Sequence, residues 1–151
     1  MKSQSLVLGI GNHQKTKKYY DDWSKNYDQT LSQWDYRAPK KVSLILKSHK
    51  KIYPKKILDL ACGTGLFAEE LIKIYPGAII DGVDISKKII NIARNKKIYN
   101  NLICANFDKR FSTIYKYDLI SCIGAMTYTT NPKKLLKNMH KKLKNSGFFI
   151  F

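Results

Sequence analysis

Arginine is scarce in this chain. Of its 28 basic residues only three are arginine, at positions 37, 94 and 110, and acidic residues number 11 against them. The resulting formal charge of +17 invites a nucleic-acid reading. The shortage of arginine weakens it, because base and phosphate recognition favours the planar guanidinium fork over the point charge of lysine. The lysines are spread along the whole sequence, often in pairs such as Lys40-Lys41 and Lys141-Lys142, as expected when lysine fills most solvated positions. Cysteine is also sparse. Three cysteines at 62, 104 and 122, with no Cys-x-x-Cys, exclude a disulfide scaffold and a structural zinc site and set a reducing cytoplasm as the default. No apolar run approaches the ~20 residues that span a bilayer, and Leu6-Val7-Leu8 is too short for a signal-peptide core. Histidines at 13, 49 and 140 lie scattered on lysine-rich segments, so no metal-ligand cluster and no Ser/His/Asp set stands out.

What is present is a core's worth of apolar residues, 44% of 151, which suits one globular domain. Residues 1–12 are weakly patterned and end in Gly9-Ile10-Gly11, a flexible entry or a short docking strand. Tyr19, Tyr20, Trp23, Tyr27 and Leu31 recur at helical spacing and predict a helix over 13–32. Pro39, Val42, Ile45 and Leu46 predict a second over 38–52. The pattern then changes to short apolar runs alternating with helical stretches. Strands are expected at 55–60, 78–84, 102–105 and 118–123, and a fifth from Phe148. Helices are expected at 65–75, from Ser86 to about Lys97, and from Pro132 to a close at Asn145-Ser146-Gly147. This alternation means an α/β domain with a largely parallel sheet of about five strands. Residues 1–52 form an N-terminal extension and helical cap, and residues 53–151 the core. The last expected strand is uncovered, which suggests a piece of a longer domain.

The informative stretch is Ile57-Leu58-Asp59-Leu60-Ala61-Cys62-Gly63-Thr64-Gly65. An acidic residue ends a strand, small residues follow, and a helix opens at once. Small residues let backbone N–H groups approach a ligand, and the helix start favours an anionic group. Nineteen residues past Gly65, Gly82-Val83-Asp84 ends the next strand, where a carboxylate can accept from both hydroxyls of a ribose. Together they read as a site for an adenine nucleoside with a charged tail, at the carboxyl ends of the strands. A dinucleotide is the weaker choice. The third glycine of Gly-x-Gly-x-x-Gly is missing, and a pyrophosphate would meet an acidic strand end that suits a sulfonium and an ammonium.

The segment 57–65 resembles the first motif of class I S-adenosylmethionine (SAM)-dependent methyltransferases, with Ala61 where the family usually has its first glycine. Gly82-Val83-Asp84 resembles the second motif, and Tyr117-Asp118-Leu119-Ile120 and Leu143-Lys144-Asn145-Ser146-Gly147 resemble the fourth and fifth strand regions. The resemblance implies a Rossmann-like three-layer sandwich. The segment from Tyr20 to Asp28, with Trp34 to Pro39, resembles the cap of small Williams–Beuren-region-like and TPR-associated methyltransferases. On this resemblance Asp59 holds the methionine ammonium or else caps the glycine loop, and Ala61, Gly63 and Gly65 give close backbone approach. Asp84 binds the ribose or supports the helix that follows, and Ile85 lies against the adenine. Asn106 either accepts from the adenine amine through its amide oxygen or is a turn residue. Cys122 and Gly124 lie beneath the sulfur, with core packing the default for Cys122. Tyr27 and Tyr19 are candidates to lid the site, and Tyr128 is the one candidate to meet an acceptor. The implied reaction is methyl transfer to a small-molecule acceptor. A non-catalytic SAM-binding module and an RNA methyltransferase are the alternatives.

Overall fold

The computed structural model describes residues 11–151. The expected docking strand around Gly9-Ile10 lies outside the described residues. Three N-terminal helices, α1 (His13–Trp23), α2 (Tyr27–Gln33) and α3 (Ala38–Ser48), precede the sheet. The helix expected over 13–32 is broken by a 3-10 turn at Ser24–Asn26. Ser24 donates its hydroxyl to the carbonyl of Asp21, a local bond that competes with regular helix. α3 stops at Ser48 rather than running to residue 52. Its apolar face ends at Leu46, and the Lys50-Lys51 pair beyond it has nothing to bury.

The core alternates β1 (Lys56–Leu60), α4 (Leu66–Ile74), β2 (Ile79–Asp84), α5 (Lys87–Asn95), β3 (Asn101–Cys104), β4 (Tyr117–Ser121), α6 (Pro132–Lys142) and β5 (Leu143–Ile150). The five strands form one sheet in the order β3-β2-β1-β4-β5, and every pairing is parallel. The order reverses at β1, with β2 on one side and β4 on the other, and a crevice opens there beyond the strand ends. Ser86 caps α5 by accepting from the Ile89 amide, as the sequence signals. Asn131 does the same for α6 by accepting from Lys134.

Side chains alternate across the strands. Leu58, Leu60, Val83 and Ile120 bury one face against Leu135 and Met139 of α6 and against Phe107 and Phe111. Ile57, Ile80 and Leu119 bury the other against Leu46 of α3 and Phe67 and Leu71 of α4. A sheet covered on both faces is what an all-parallel arrangement needs.

β5 differs from expectation at its start. The strand begins at Leu143, and the Asn145-Ser146-Gly147 signal lies within it. Tyr117 pairs with Leu143 while Leu119 pairs with Phe148, so the intervening residues bulge outward. At Gly147 a side chain would meet the Tyr117 carbonyl at 2.9 Å, so this bulge requires glycine. The turn chemistry was real, and the ladder absorbed it.

Candidate active site

Asp59 ends just short of the β1 terminus, and Asp84 is the last residue of β2. Their strands are neighbours, with Asp59 paired to Gly82. The two carboxylates therefore stand on the same side of the sheet, one pleat apart. The loop Ala61–Gly65 arches between them. Ala61, Gly63 and Gly65 all have positive φ, of 51°, 56° and 94°. That conformation is easy for glycine and strained for Ala61.

Asp84 holds this loop in place. Its Oδ2 accepts from the Gly63 amide at 3.0 Å, and its Oδ1 accepts from the Ser86 amide at 2.9 Å. The Ile85 amide also bonds to this carboxylate. Burial pushes the carboxyl up to about 6, against the pull of those amide donors. So Asp84 both supports the α5 start and faces the cleft. Asp59 does not cap the glycine loop. Its oxygens accept from the Tyr99 hydroxyl at 2.9 Å and the Ser121 hydroxyl at 2.8 Å. It too is pushed up to about 6, chiefly by burial, with the nearby Asp84 adding to the rise.

The cap closes over this crevice. Tyr27, Tyr36, Ala61, Gly63 and Ile123 wall two adjoining recesses, one reaching Asp59 and the other Asp84. Two carboxylates tie the cap down: Asp28 accepts from the Thr64 hydroxyl of the glycine loop, and Asp21 accepts from the Ser86 hydroxyl at 2.5 Å. Tyr27 stands over Gly63, where a side-chain carbon would lie 3.6 Å from its hydroxyl. The Tyr36 hydroxyl is 2.6 Å from the corresponding point on Gly124, so Gly124 makes room for the cap. Tyr20 donates its hydroxyl to that of Tyr128 at 3.2 Å, and both line the Asp84 recess together with Ile85.

Four sequence candidates line neither recess. Tyr19 packs edge-on to Tyr20 and Trp23 within the cap and lines neither recess; Tyr20 and Tyr36 are there instead. Helical spacing alone does not say which tyrosine of an adjacent pair turns inward. Cys122 is fully buried in the core with α6, its thiol pushed up to about 12 by burial, and Ile123 and Gly124 reach the cleft in its place. Gly65 caps the start of α4, and a side-chain carbon placed on it would lie 3.1 Å from the Tyr99 ring. Asn106 uses its amide oxygen within its own turn, accepting from the Asp108 amide at 2.9 Å. Its Nδ2 is buried without a partner. Tyr99 was missed: it lies in the turn after α5, and its hydrogen bond to Asp59 joins residues far apart in sequence, with its ring also against Gly82, where a side-chain carbon would meet it at 2.9 Å.

The family model described as "Methyltransferase domain" matches residues 58–149. The chain belongs to that family. It is similar to "Ubiquinone biosynthesis O-methyltransferase" of Coxiella burnetii (strain Dugway 5J108-111), with 31% identity over 101 residues, 64% of this chain and 42% of the relative. It is also similar to "Malonyl-[acyl-carrier protein] O-methyltransferase 2" of Ilyobacter polytropus, with 27% identity over 91% of this chain and 52% of the relative. Among solved structures, plantazolicin methyltransferase BpumL in complex with a pentazolic desmethylPZN analog and SAH matches with TM-score 0.60 and 28% identity, over 91% of this chain and 51% of that one. An S-adenosylmethionine-dependent methyltransferase from Clostridium acetobutylicum matches with TM-score 0.67 and 27% identity, over 86% and 55%. The chain spans about half the length of these relatives. The Rossmann-like methyltransferase fold and the cofactor class read from the motifs agree with these neighbours. Among the described residues, no helix is long and apolar enough to cross a membrane.

Proposed function

We propose that this chain binds S-adenosylmethionine in the crevice between Asp59 and Asp84 and belongs to an enzyme that methylates a small-molecule acceptor. The observation that carries it is the Asp84 carboxylate. It is fixed by the backbone amides of Gly63, Ser86 and Ile85 at the strand end beside a glycine loop, and it lines the recess. Such a group fits the paired hydroxyls of a ribose.

The other residues fit the same nucleoside. Ala61 and Gly63 leave a wall without bulky side chains. Asp59 sets a negative charge beside the recess walled by Tyr27 and Tyr36, suited to an ammonium tail. Asn106 fits in a way opposite to the one expected. Its oxygen is already committed and its NH2 is buried and unpaired, so it donates to a ring nitrogen of the adenine rather than accepting from the exocyclic amine. Bound SAM supplies a methyl group on an already activated sulfonium. The residues of this chain bind, orient and exclude water, which is where most of the rate in such a transfer arises. Tyr128, hydrogen-bonded to Tyr20 at the lip, is placed to orient an incoming acceptor. The names of the relatives (ubiquinone biosynthesis, malonyl-[acyl-carrier protein] and plantazolicin) support a small or carrier-borne acceptor over RNA. The cap's resemblance to the small Williams–Beuren-region-like and TPR-associated methyltransferases specifies no acceptor.

The recesses are tight. Open space is about 40 Å³ beside Asp59 and about 80 Å³ beside Asp84, whereas ligand sites commonly need ~300 Å³ or more. The cap therefore shifts outward to admit the nucleoside. Calorimetry with SAH tests the reading. Asp84→Ala lowers affinity at least about tenfold, the loss of charge-assisted hydrogen bonds, while Tyr128→Phe leaves it within about twofold. Unchanged affinity in a folded Asp84→Ala variant refutes the ribose assignment.

A further inference from the structure

A groove of about 800 Å³ runs between the connection from β3 to β4 and the outer side of α6. It is distinct from the crevice above and shares none of its walls. Six cations line it, Lys109, Arg110, Lys116, Lys134, Lys141 and Lys142, and no carboxylate does. Among the described residues, five lysines elsewhere have a carboxylate partner: Lys17, Lys18, Lys73, Lys96 and Lys144. None of the six groove cations has an ion-pair partner among the described residues. Like charges held this close repel one another, and the Lys142 ammonium is pushed below its ordinary range by burial and by Arg110. A polyanion would relieve that repulsion.

Two observations choose the kind of polyanion. The groove has two aromatic rings, and both have a face covered by lysine. Lys142 Nζ sits over Phe111 at 4.5 Å from the ring centre, and Lys56 Nζ over Tyr115 at 3.5 Å. Single-stranded nucleic acid gains much of its affinity by stacking on open rings, and these are taken. Ile114, by contrast, projects from the same wall at 73% exposure, an apolar knob among charges. Carboxylates around an apolar spot are the surface of an acidic protein. We infer that this groove docks an acidic protein partner, whose carboxylates face the lysine rows and whose apolar spot receives Ile114.

The groove leads toward the active crevice. At its upper end Lys109 and Lys134 also wall a smaller recess with His13, Asp108, Thr130 and Asn131. Asp108 there is committed to Thr129, Thr130 and His13. Thr129 and Thr130 follow Tyr128 directly in sequence, so a docked partner sits beside the loop that borders the acceptor entrance.

Fluorescence anisotropy with two labelled probes, a glutamate-rich helical peptide and poly-uridylate, tests the surface without cofactor or turnover, so its outcome is independent of the SAM reading. The paired variant Lys134→Glu/Lys141→Glu is compared with Lys40→Glu/Lys47→Glu on α3, which packs on the opposite face of the sheet and changes net charge equally. The peptide binds the unaltered chain, loses about tenfold or more in affinity with the groove pair and less than about twofold with the α3 pair, and Ile114→Ala weakens it further. Equal losses from both pairs overturn the inference in favour of diffuse charge. Tighter poly-uridylate binding that the groove pair abolishes overturns it in favour of nucleic acid.

Discussion

Protonating Asp84 weakens its backbone hydrogen bonds and removes the charge a ribose would meet. Both it and Asp59 are pushed up to about 6 by burial, from ordinary values near 3.8. The sign follows from linkage. The folded, ligand-free chain takes up protons that the unfolded chain does not, so its stability from these groups is full below about pH 4 and falls as the pH rises through about 6. Ligand binding needs the charged forms and runs the other way. SAH affinity measured by calorimetry rises between about pH 5 and pH 7, and thermal stability of the free chain falls between about pH 4 and pH 6. A flat affinity profile would show that neither carboxylate touches the ligand. Both residues were legible in the sequence from their place at strand ends around a glycine loop. Their partners were not. Tyr99 and Ser121 reach Asp59 across 40 and 62 positions, and no local pattern encodes such contacts.

At the scale of elements, the cap was legible as helical and aromatic, but its break at Ser24–Asn26 and its inward face were not. The break turns Tyr27 over Gly63 while Tyr20 stays against Tyr128, a geometry that a single continuous helix over 13–32 would not give. The chain has two tryptophans, and both belong to this cap, Trp23 and Trp34 with ring centres 5.5 Å apart. Intrinsic fluorescence therefore reports cap movement directly. SAH binding shifts tryptophan emission, because entry of the nucleoside displaces the tyrosines packed against Trp23. Thr64→Val, which removes the donor to Asp28, loosens the cap at a cost of about 1 kcal/mol and produces part of that shift before any ligand is added. An emission spectrum indifferent to both changes would mean the cap stays in place. The α/β class and the largely parallel sheet of about five strands followed from the alternation of apolar runs with helical stretches; the strand order came from the structure. The late start expected for β5 did not hold, because a glycine-containing bulge and a turn look alike in sequence.

At the scale of the whole molecule, the sheet has unequal edges. β3 has only four residues. β5 has eight and pairs on its β4 side alone among the described residues. It carries Phe148 at 47% exposure. A long apolar edge is a template for pairing with another chain. Light scattering is expected to show self-association of this chain at micromolar concentration, reduced by Phe148→Lys, which places a charge on that edge; a monodisperse monomer insensitive to the substitution would mean that the bulge alone protects it. The hydroxyls of Thr64 and Ser86 join the cap to the same loops that carry Asp84's partners Gly63 and Ser86. Grip on the nucleoside and closure of the helices above it are thus one equilibrium seen from two sites. By thermodynamic reciprocity, any second substrate that is held better with the cap in its nucleoside-bound position must tighten the first by the same factor. Loading in a preferred order then needs no separate control element.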